Sequence, residues 1–505
     1  DHAWGDYLCE RGFLDAVAVS DDVRHAEAGV HQVFRAGRGV VGRVAEFEED
    51  VVAGEFEEGE LVQQGQVLFV IDPRPYKARL RAAEADLATA KASRGQRIRT
   101  GSIYDWWHLV YRDLLAIAEK HWFGGIPQGH RDQFLFLSSV ALSWLAHTDT
   151  LEDELTRGMR ATNALGSAGI VLDVDTGEVL ALASLPEFDP NHIDKAGVAN
   201  MFNRVTNQVY ELGSTFKPLT VAAAIDAGTI TDLGRRYSAR PYPLSGYTIK
   251  DSHDLGASLN TPEMLMHSSN VVTGHIVADL GTKRLKKVMA DLGMNERPYI
   301  ELPARGFPLW PRGTNKNGDW ARITTMTVSY GHGIAVTPLH LASAYAAMVN
   351  GGVWRPATMH KVEPGKAPKG RRVFKASTSA KMNQMLRMIV TYGTGRKANA
   401  PGFRVGGKTG SADKPAGGGY NRTSVVATFA AAFPMDRPRY VVIAMLDEPK
   451  GTVASSFQRT AAWNAAPVVG RLVPRIGPIL GVAPDSSRDV DLSDLAPLVP
   501  QSKKP

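Results

Sequence analysis

The stretch Tyr210-Glu-Leu-Gly-Ser-Thr-Phe-Lys-Pro218 decides how the second half of this 505-residue chain folds. It places Ser214 three residues before Lys217, at the start of an apolar run, Thr220-Val-Ala-Ala-Ala-Ile225, that predicts a helix. Pro218 is compatible with this helix because it lies in the first turn. Residues three apart share a helix face, so we expect the Ser214 hydroxyl and the Lys217 ammonium to lie close together.

This pair has the elements of nucleophilic catalysis. A serine hydroxyl becomes a good nucleophile when a neighbouring base takes its proton. Lysine can be that base when burial and a second positive charge lower its pKa. Free N–H groups at the helix start can stabilise negative charge on a carbonyl under attack. Alone, however, the S-x-x-K pattern is weak, because roughly one to a few chance matches are expected in 500 residues.

Two later triplets supply the other groups that this chemistry needs. Ser268-Ser-Asn270 follows Thr261-Pro262, which predicts a helix start and puts the triplet about two turns along that helix. A rival S-x-N, Ser258-Leu-Asn260, lies in the loop before the helix, so the later triplet is preferred. The stretch Val405-Gly-Gly-Lys-Thr-Gly-Ser411 predicts a strand whose glycines let a peptide substrate approach. Its lysine and threonine offer a cation and a hydroxyl to a carboxylate.

The motifs S-x-x-K, S-D-N and K-T-G are the signature of serine β-lactamases and penicillin-binding proteins, and this chain has all three in order, with S-S-N in the middle. Over about 168–478 it resembles the transpeptidase domain of class B penicillin-binding proteins, most closely the cell-division (septal) type. Supporting stretches are Phe202-Asn-Arg-Val-Thr-Asn-Gln-Val-Tyr-Glu-Leu-Gly-Ser214 and Ser329-Tyr-Gly-His-Gly-Ile-Ala-Val-Thr-Pro-Leu-His-Leu-Ala-Ser-Ala-Tyr345. The resemblance implies an α+β fold of the penicillin-binding transpeptidase and serine β-lactamase-like kind, with an antiparallel sheet and helices on both faces.

The resemblance also implies a mechanism and a set of site residues. In this family a serine attacks the carbonyl between two D-alanines of a peptidoglycan stem peptide, and an amine from a neighbouring stem then attacks the acyl-enzyme. Carried over, the catalytic residues would be the nucleophile Ser214, its base Lys217, the proton shuttle Ser268 and the positioning residue Asn270. The substrate-binding residues would be Lys408, Thr409, Gly410 and Ser411. The backbone N–H groups of Ser214 and Ser411 would form the oxyanion hole, and no metal or cofactor would be needed.

The function implied is a peptidoglycan D,D-transpeptidase, a serine acyltransferase of septal wall synthesis. Its partners would be stem peptides, β-lactams as covalent inhibitors and cell-division proteins, at the periplasmic face of the bacterial inner membrane. Two alternatives stay open: a hydrolase of the D,D-carboxypeptidase or β-lactamase type, and a β-lactam sensor that is acylated without turnover. The net charge of +6, from 58 Lys and Arg against 52 Asp and Glu, is mild for this length and does not indicate nucleic-acid binding.

The sequence before about residue 165 predicts a mosaic N-terminal region, in which residues 1–38 are unassigned. Residues 39–100 are predicted to form a partial lipoyl-like hairpin followed by a coiled-coil helix. Within them, about 39–93 resembles the hairpin and first helix of periplasmic membrane-fusion adaptors, on the stretch Gly59-Glu-Leu-Val-Gln-Gln-Gly-Gln-Val-Leu-Phe-Val-Ile-Asp-Pro-Arg-Pro-Tyr76. Residues 101–165 are rich in tryptophan and predicted to be helical, without a family assignment. The transpeptidase domain is expected over 166–480 and a disordered tail over 481–505. Within this domain, strand patterns near both ends with helices between them predict an antiparallel sheet built from both termini, and the last helix is predicted over 455–472. No apolar run reaches the roughly 18 residues of a bilayer span, so the anchor of the family is not expected in this chain.

Overall fold

The computed structural model describes residues 32–35, 51–54 and 67–71, and then 146–187, 200, 202–313, 318–363, 365–416 and 419–499. The chain forms two units, Asp1–Arg99 and Thr100–Pro505. In the first unit, strands β1 (Gln32–Arg35), β2 (Val51–Gly54) and β3 (Val67–Ile71) pair antiparallel in the order β1-β3-β2. Strands β2 and β3 fall within the stretch predicted as a hairpin. The predicted coiled-coil helix and the helices predicted over 101–145 lie outside the described residues.

The second unit mixes helices and strands along the chain. Its described elements are, in order, α1 (146–161), β4 (Gly166–Asp173), β5 (Val179–Leu185), α2 (Lys217–Asp226), β6 (Tyr237–Ser238), β7 (Tyr242–Leu244), β8 (Tyr247–Ile249), β9 (Ser258–Leu259), α3 (Thr261–His267), α4 (Asn270–Leu280), α5 (Thr282–Asp291), α6 (Arg322–Ser329), α7 (Pro338–Val349), β10 (Val353–Trp354), β11 (Arg371–Arg372), α8 (Ala376–Tyr392), β12 (Gly406–Ala416), β13 (Gly419–Phe433), β14 (Tyr440–Asp447) and α9 (Ala465–Ile479). Among the described helices, none combines the length and the apolar character needed to cross a bilayer.

A five-stranded antiparallel sheet organises this unit, in the order β12-β13-β14-β4-β5. Strand β4, the first described strand of the unit, pairs with β14, the last, where Ile443 lies opposite Ile170, and β5 pairs with the other side of β4. This is the sheet built from both ends of the domain that the sequence predicts. The predicted α+β fold is therefore confirmed, and β12 lies at one edge of the sheet.

Both faces of the sheet are covered by helices. Along β4, Ile170 and Leu172 belong to one apolar layer, and Val171 between them belongs to the other. This alternation follows from the two-residue period of a strand. The first layer contains buried side chains of α2, α4, α7 and α8, and the second contains side chains of α1 and α9. Because both faces are buried, the central strands are apolar almost without interruption.

Helix α1 packs on the sheet, although the sequence predicts that the domain begins at residue 166. A Cβ atom at Gly169 of β4 would lie 2.7 Å from the Leu155 side chain, so the helix approaches the strand where no side chain intervenes. The buried Glu154 forms ion pairs with Arg471 at 2.7 Å and Arg475 at 2.6 Å. These contacts tie α1 to α9, so this helix packs together with the domain that is predicted to begin at residue 166.

The last helix, α9, differs from the sequence expectation of a helix over 455–472. It begins at Ala465, after a 3-10 turn at Val453–Ser455, and it continues through two interior prolines to Ile479. An interior proline costs about 3 kcal/mol or more in a helix. Burial of five large apolar side chains of α9 against the sheet offsets this cost: Val468, Val469, Leu472, Val473 and Ile476.

Residues 482–499 also differ from the expected disordered tail. Arg387 of α8 donates to both carboxylate oxygens of Asp489, at 2.7 and 3.0 Å. Further along, Leu495 is only 2% exposed, and Asn260 Nδ2 donates to the Leu498 carbonyl at 2.5 Å. The Pro, Asp and Ser content of this segment indicates disorder, but its leucines pack into the apolar layer that contains α2, α4, α7 and α8.

Leu495→Ala is expected to lower the free energy of unfolding by about 2–5 kcal/mol, because it leaves a cavity where the side chain is buried. Thermal unfolding of the full chain measures this loss as a lower Tm. The matched control is Leu309→Ala, since Leu309 is 64% exposed. If both variants melt at the wild-type temperature, the segment contributes nothing to stability and this account of it is wrong.

Candidate active site

Ser214 lies in a tight turn that the core holds in place. It is the second residue of the 3-10 turn Gly213–Phe216, which leads directly into α2. The Thr215 hydroxyl donates to the Leu212 carbonyl at 2.9 Å, and the buried Tyr345 hydroxyl donates to the Thr215 carbonyl at 2.8 Å. Phe216 is fully buried, whereas Ser214 is half-buried. The turn therefore presents its serine at the N-terminus of a helix.

Two buried lysines meet at one serine hydroxyl. Lys217, the first residue of α2, donates to Ser268 Oγ at 3.1 Å and also to the Ser268 carbonyl. Lys408, on β12, donates to the same Oγ at 3.0 Å. Lys408 also donates to the carbonyl and the Oγ1 of Thr409, at 2.9 and 3.2 Å. The structure thus brings together residues from all three motifs, although they are far apart in sequence.

Burial lowers the pKa of both lysines. The Lys217 side chain is fully buried, and desolvation moves its pKa well below the usual value; the charge of Lys408 lowers it further, while Asp251 opposes the shift. Desolvation also lowers the pKa of Lys408 to about 7. An ammonium that loses its water shell without an ion-pair partner favours the neutral amine. Near neutral pH, one of these lysines can therefore accept a proton.

The Ser268-Ser-Asn270 triplet lies between two helices, which corrects the prediction that it lies two turns along one helix. Helix α3 ends at His267, and Ser268 adopts a left-handed conformation with φ of 62°. A non-glycine residue in this region is uncommon and is often found at functional sites. Ser269 then caps α4, accepting from the Val272 N–H at 3.1 Å, and Asn270 is the first residue of that helix, half-buried.

The start of α3 also differs from the prediction in detail. The N-cap is Asn260, not Thr261, and it forms a capping box with Glu263. The rival triplet, Ser258-Leu-Asn260, therefore has a structural role: Ser258 belongs to β9, and Asn260 caps α3.

Asp251 is a site residue that the sequence motifs did not indicate. Its carboxylate accepts from Ser269 Oγ at 2.6 Å, from the Asn270 N–H at 2.5 Å and from the Val271 N–H at 3.3 Å. A carboxylate is stabilised at a helix N-terminus by the free N–H groups and the helix dipole. Asp251 therefore fixes the turn that carries Ser268. No local pattern identifies it, because it lies in a loop well before the triplet.

Glycines let β12 touch the serine turn directly. A Cβ atom at Gly410 would lie 2.3 Å from the Leu212 carbonyl oxygen, and one at Gly213 would lie 2.8 Å from the Ser411 carbonyl oxygen. Thr409 Oγ1 is 3.0 Å from Thr394 Oγ1, and Ser411 Oγ accepts from the Ala461 N–H at 2.9 Å. The residues expected to bind substrate thus form one edge strand beside Ser214.

Comparison with known proteins agrees with this arrangement. Residues 167–469 match the family model for the penicillin binding protein transpeptidase domain. The chain is 42% identical over 341 residues to a probable peptidoglycan D,D-transpeptidase FtsI of Caulobacter vibrioides, covering 66% of this chain and 57% of the relative. It is 35% identical over 325 residues to a probable peptidoglycan D,D-transpeptidase PenA of Neisseria gonorrhoeae, covering 64% and 53%. The solved transpeptidase domain of penicillin-binding protein 3 from Burkholderia pseudomallei superposes with a TM-score of 0.59 at 29% identity, covering 67% of this chain and 95% of that one.

The chain therefore belongs to the penicillin-binding protein transpeptidase family. The predicted resemblance to the class B, septal type is confirmed by these relatives. The chain spans only about half the length of the two curated relatives, 57% and 53%.

Lys408→Met is expected to raise the Tm, most of all at acidic pH. Between a folded-state pKa of about 7 and the ordinary lysine pKa near 10.4, the unfolded chain binds a proton that the folded protein does not. The free energy of unfolding of the wild type therefore rises with pH between about 7 and 10.4. Below pH 7, the folded protein bears the full free-energy cost of burying the Lys408 ammonium. Methionine removes this cost, so the Tm gain is largest below pH 7 and shrinks towards pH 10.

Thermal unfolding from pH 6 to pH 10 measures the difference between the two proteins. Lys381→Met is the matched control, because Lys381 is exposed on α8. A lower Tm for Lys408→Met at pH 6, or a difference that does not vary with pH, contradicts the prediction.

Proposed function

We propose that this chain carries the catalytic domain of a peptidoglycan D,D-transpeptidase that cross-links stem peptides through a serine acyl-enzyme. The observation that carries the proposal is the Ser268 hydroxyl held between two buried lysines, Lys217 at 3.1 Å and Lys408 at 3.0 Å. This arrangement suits a proton relay next to a nucleophile, since a hydroxyl can accept two hydrogen bonds and donate one. Family membership supports the same reaction.

In the first half-reaction, Ser214 Oγ attacks the carbonyl of the D-alanyl-D-alanine bond. Neutral Lys217 takes the hydroxyl proton, for which its lowered pKa prepares it. The C–N bond breaks, and the terminal D-alanine leaves as its proton arrives from Lys217 through Ser268. The backbone N–H groups of Ser214 and Ser411 stabilise the oxyanion, and each such donor is worth about 3–4 kcal/mol in related acyl transfers.

The substrate peptide lies along β12. This strand is at the edge of the sheet, so an extended peptide can add to it by backbone hydrogen bonds. Lys408 and Thr409 hold the terminal carboxylate, Gly410 and Ser411 form the wall next to the scissile bond, and Asn270 positions the substrate amide. In the second half-reaction, an amine of another stem peptide attacks the acyl-enzyme and Ser214 leaves with its proton restored. β-Lactams acylate the same hydroxyl by opening their ring.

The biological setting is septal wall synthesis. The similarity to FtsI and PenA proteins supports a place at the periplasmic face of the inner membrane, with cell-division proteins as partners. Both the place and the partners are part of the proposal.

Ser214→Ala is expected to abolish covalent labelling by a fluorescent penicillin, because the other hydroxyl of this turn, that of Thr215, is buried and donates to the Leu212 carbonyl. Gel fluorescence after denaturation measures the labelling. The control is Ser377→Ala, at an exposed position of α8, which should label like the wild type. Persistent labelling of Ser214→Ala would refute the nucleophile assignment.

Turnover of a stem pentapeptide separates transfer from its alternatives. With an acceptor amine present, we expect D-alanine release together with a cross-linked dimer, detected by mass spectrometry. Release of D-alanine without a dimer would indicate a hydrolase. A stable penicilloyl adduct with no peptide turnover would indicate a sensor.

A further inference from the structure

The far end of the β12–β13 hairpin extends beyond the sheet. Strand β14 pairs with β13 only from Val426 to Phe433. Beyond a register shift at Asp413/Lys414, Lys414–Ala416 pairs, within the described residues, only with Gly419–Asn421. We call these two paired segments the ribbon. A two-stranded ribbon is marginally stable on its own, so contacts from outside must hold it.

Among the described residues, two side-chain ties hold the ribbon, one on each strand. On β12, Lys414 forms ion pairs with Asp447 at 3.0 Å and Glu448 at 2.9 Å, at the end of β14. On β13, the Tyr420 hydroxyl donates to both oxygens of the Glu211 carboxylate, at 3.1 and 3.0 Å. Glu211 lies three residues before Ser214, so the second tie joins the ribbon to the segment that carries the nucleophile.

The same carboxylate joins a third segment. Glu211 Oε1 accepts from the Gly333 N–H at 2.9 Å, and the Gly213 N–H donates to the Gly331 carbonyl at 3.1 Å. Between these glycines, the His332 ring lies edge-on to the Tyr420 ring at 5.9 Å. One acidic group thus lies where the serine turn, the loop at 330–333 and the ribbon meet.

We propose that Glu211 is a positioning residue for acylation: it receives the Tyr420 hydroxyl and holds the ribbon beside the serine turn. The inference rests on the proposed function, because it assigns the ribbon to the wall of that substrate groove. Strand β12 carries both Lys408 and the ribbon residue Lys414, so fixing the ribbon also fixes the strand along which the substrate binds. A loose ribbon has to be ordered when substrate binds, which weakens binding.

Because Glu211 is partly buried, its carboxylate depends on the hydrogen bond from Tyr420. Desolvation raises the pKa of its carboxyl, while the hydrogen bonds from Gly333 and Tyr420 oppose that shift. A desolvated carboxylate needs its donors, and removing the Tyr420 hydroxyl leaves it with the Gly333 N–H among the donors seen in the described residues. Tyr420 is 49% exposed, so losing its hydroxyl leaves the core intact.

The test compares Tyr420→Phe, Glu211→Ala, Glu211→Gln and the double variant Glu211→Ala/Tyr420→Phe in the full chain. Acylation rates measured over a range of fluorescent-penicillin concentrations separate the half-saturating concentration from the maximal rate. Tyr420→Phe is expected to lower the second-order rate about tenfold, the usual size of one lost hydrogen bond to a charged group. The change should lie in the half-saturating concentration, with the maximal rate within about twofold of wild type.

The four variants should also show a pattern that loss of folding would not produce. Glutamine keeps an acceptor oxygen, so Glu211→Gln should recover part of the rate lost in Glu211→Ala. The double variant should be no slower than the slower single variant, since both remove the same tie. The matched control, Tyr247→Phe, changes a tyrosine that is 68% exposed on β8 and should behave like wild type.

Hydrogen exchange of the peptide over 411–425 tests the tie without reference to catalysis. Exchange should be faster in Tyr420→Phe and Glu211→Ala, and unchanged in the control. If the wild type is not labelled at Ser214, the proposed function fails. In that case hydrogen exchange still tests the contact between Glu211 and Tyr420, and exchange that is unchanged in the variants would show that this contact does not hold the ribbon. If wild type is labelled and Tyr420→Phe is labelled equally fast, the positioning role is overturned, whether or not exchange changes.

Discussion

The structure of the site depends on burying two lysine side chains against one hydroxyl. Lys217 and Lys408 are both fully buried, and both donate to Ser268 Oγ. In water two such ammonium groups would be hydrated and would repel each other; here the enclosure removes the water, and the pKa of each falls. Burying the two lysines lowers stability, and in the proposed mechanism it provides the base that activates Ser214.

Bringing these groups together requires departures from regular structure on three sides. The chain leaves α3 through a left-handed serine, so that the hydroxyl and the carbonyl of Ser268 both reach Lys217. Asp251 holds the start of the next helix against this bend. On the strand side, Gly410 and Gly213 have no side chains, so β12 and the serine turn meet through their backbones. Together these features bring Lys217 and Lys408 within hydrogen-bonding distance of Ser268 and set β12 against the serine turn.

Much of this could be predicted from the sequence, because the relevant signals are local. The order of the three motifs, the strands at both ends of the domain and the helix after Ser214 follow from short patterns. The left-handed Ser268 could not be predicted, since a serine triplet has no helix-breaking residue before it. Asp251 and the Glu211–Tyr420 tie join residues far apart in the chain, and only the fold shows which of many Asp, Glu and Tyr residues meet. Helix α9 and the segment after it were mispredicted because tertiary burial outweighs prolines and polar composition.

The two parts of the groove differ in how they are held, and this difference suits their tasks. The two lysines lie where helices and sheet bury them, so their positions are set by packing that is costly to disturb. The ribbon has strand pairing on one side only and depends on Lys414 and Tyr420, whose contacts are partly exposed and can exchange with water. In the proposed reaction the groove admits one stem peptide, releases D-alanine and then admits a second, so the ties of the ribbon have to hold this wall through both half-reactions. The structure places these partly exposed ties in the ribbon, away from the lysines, whose lowered pKa values depend on remaining enclosed.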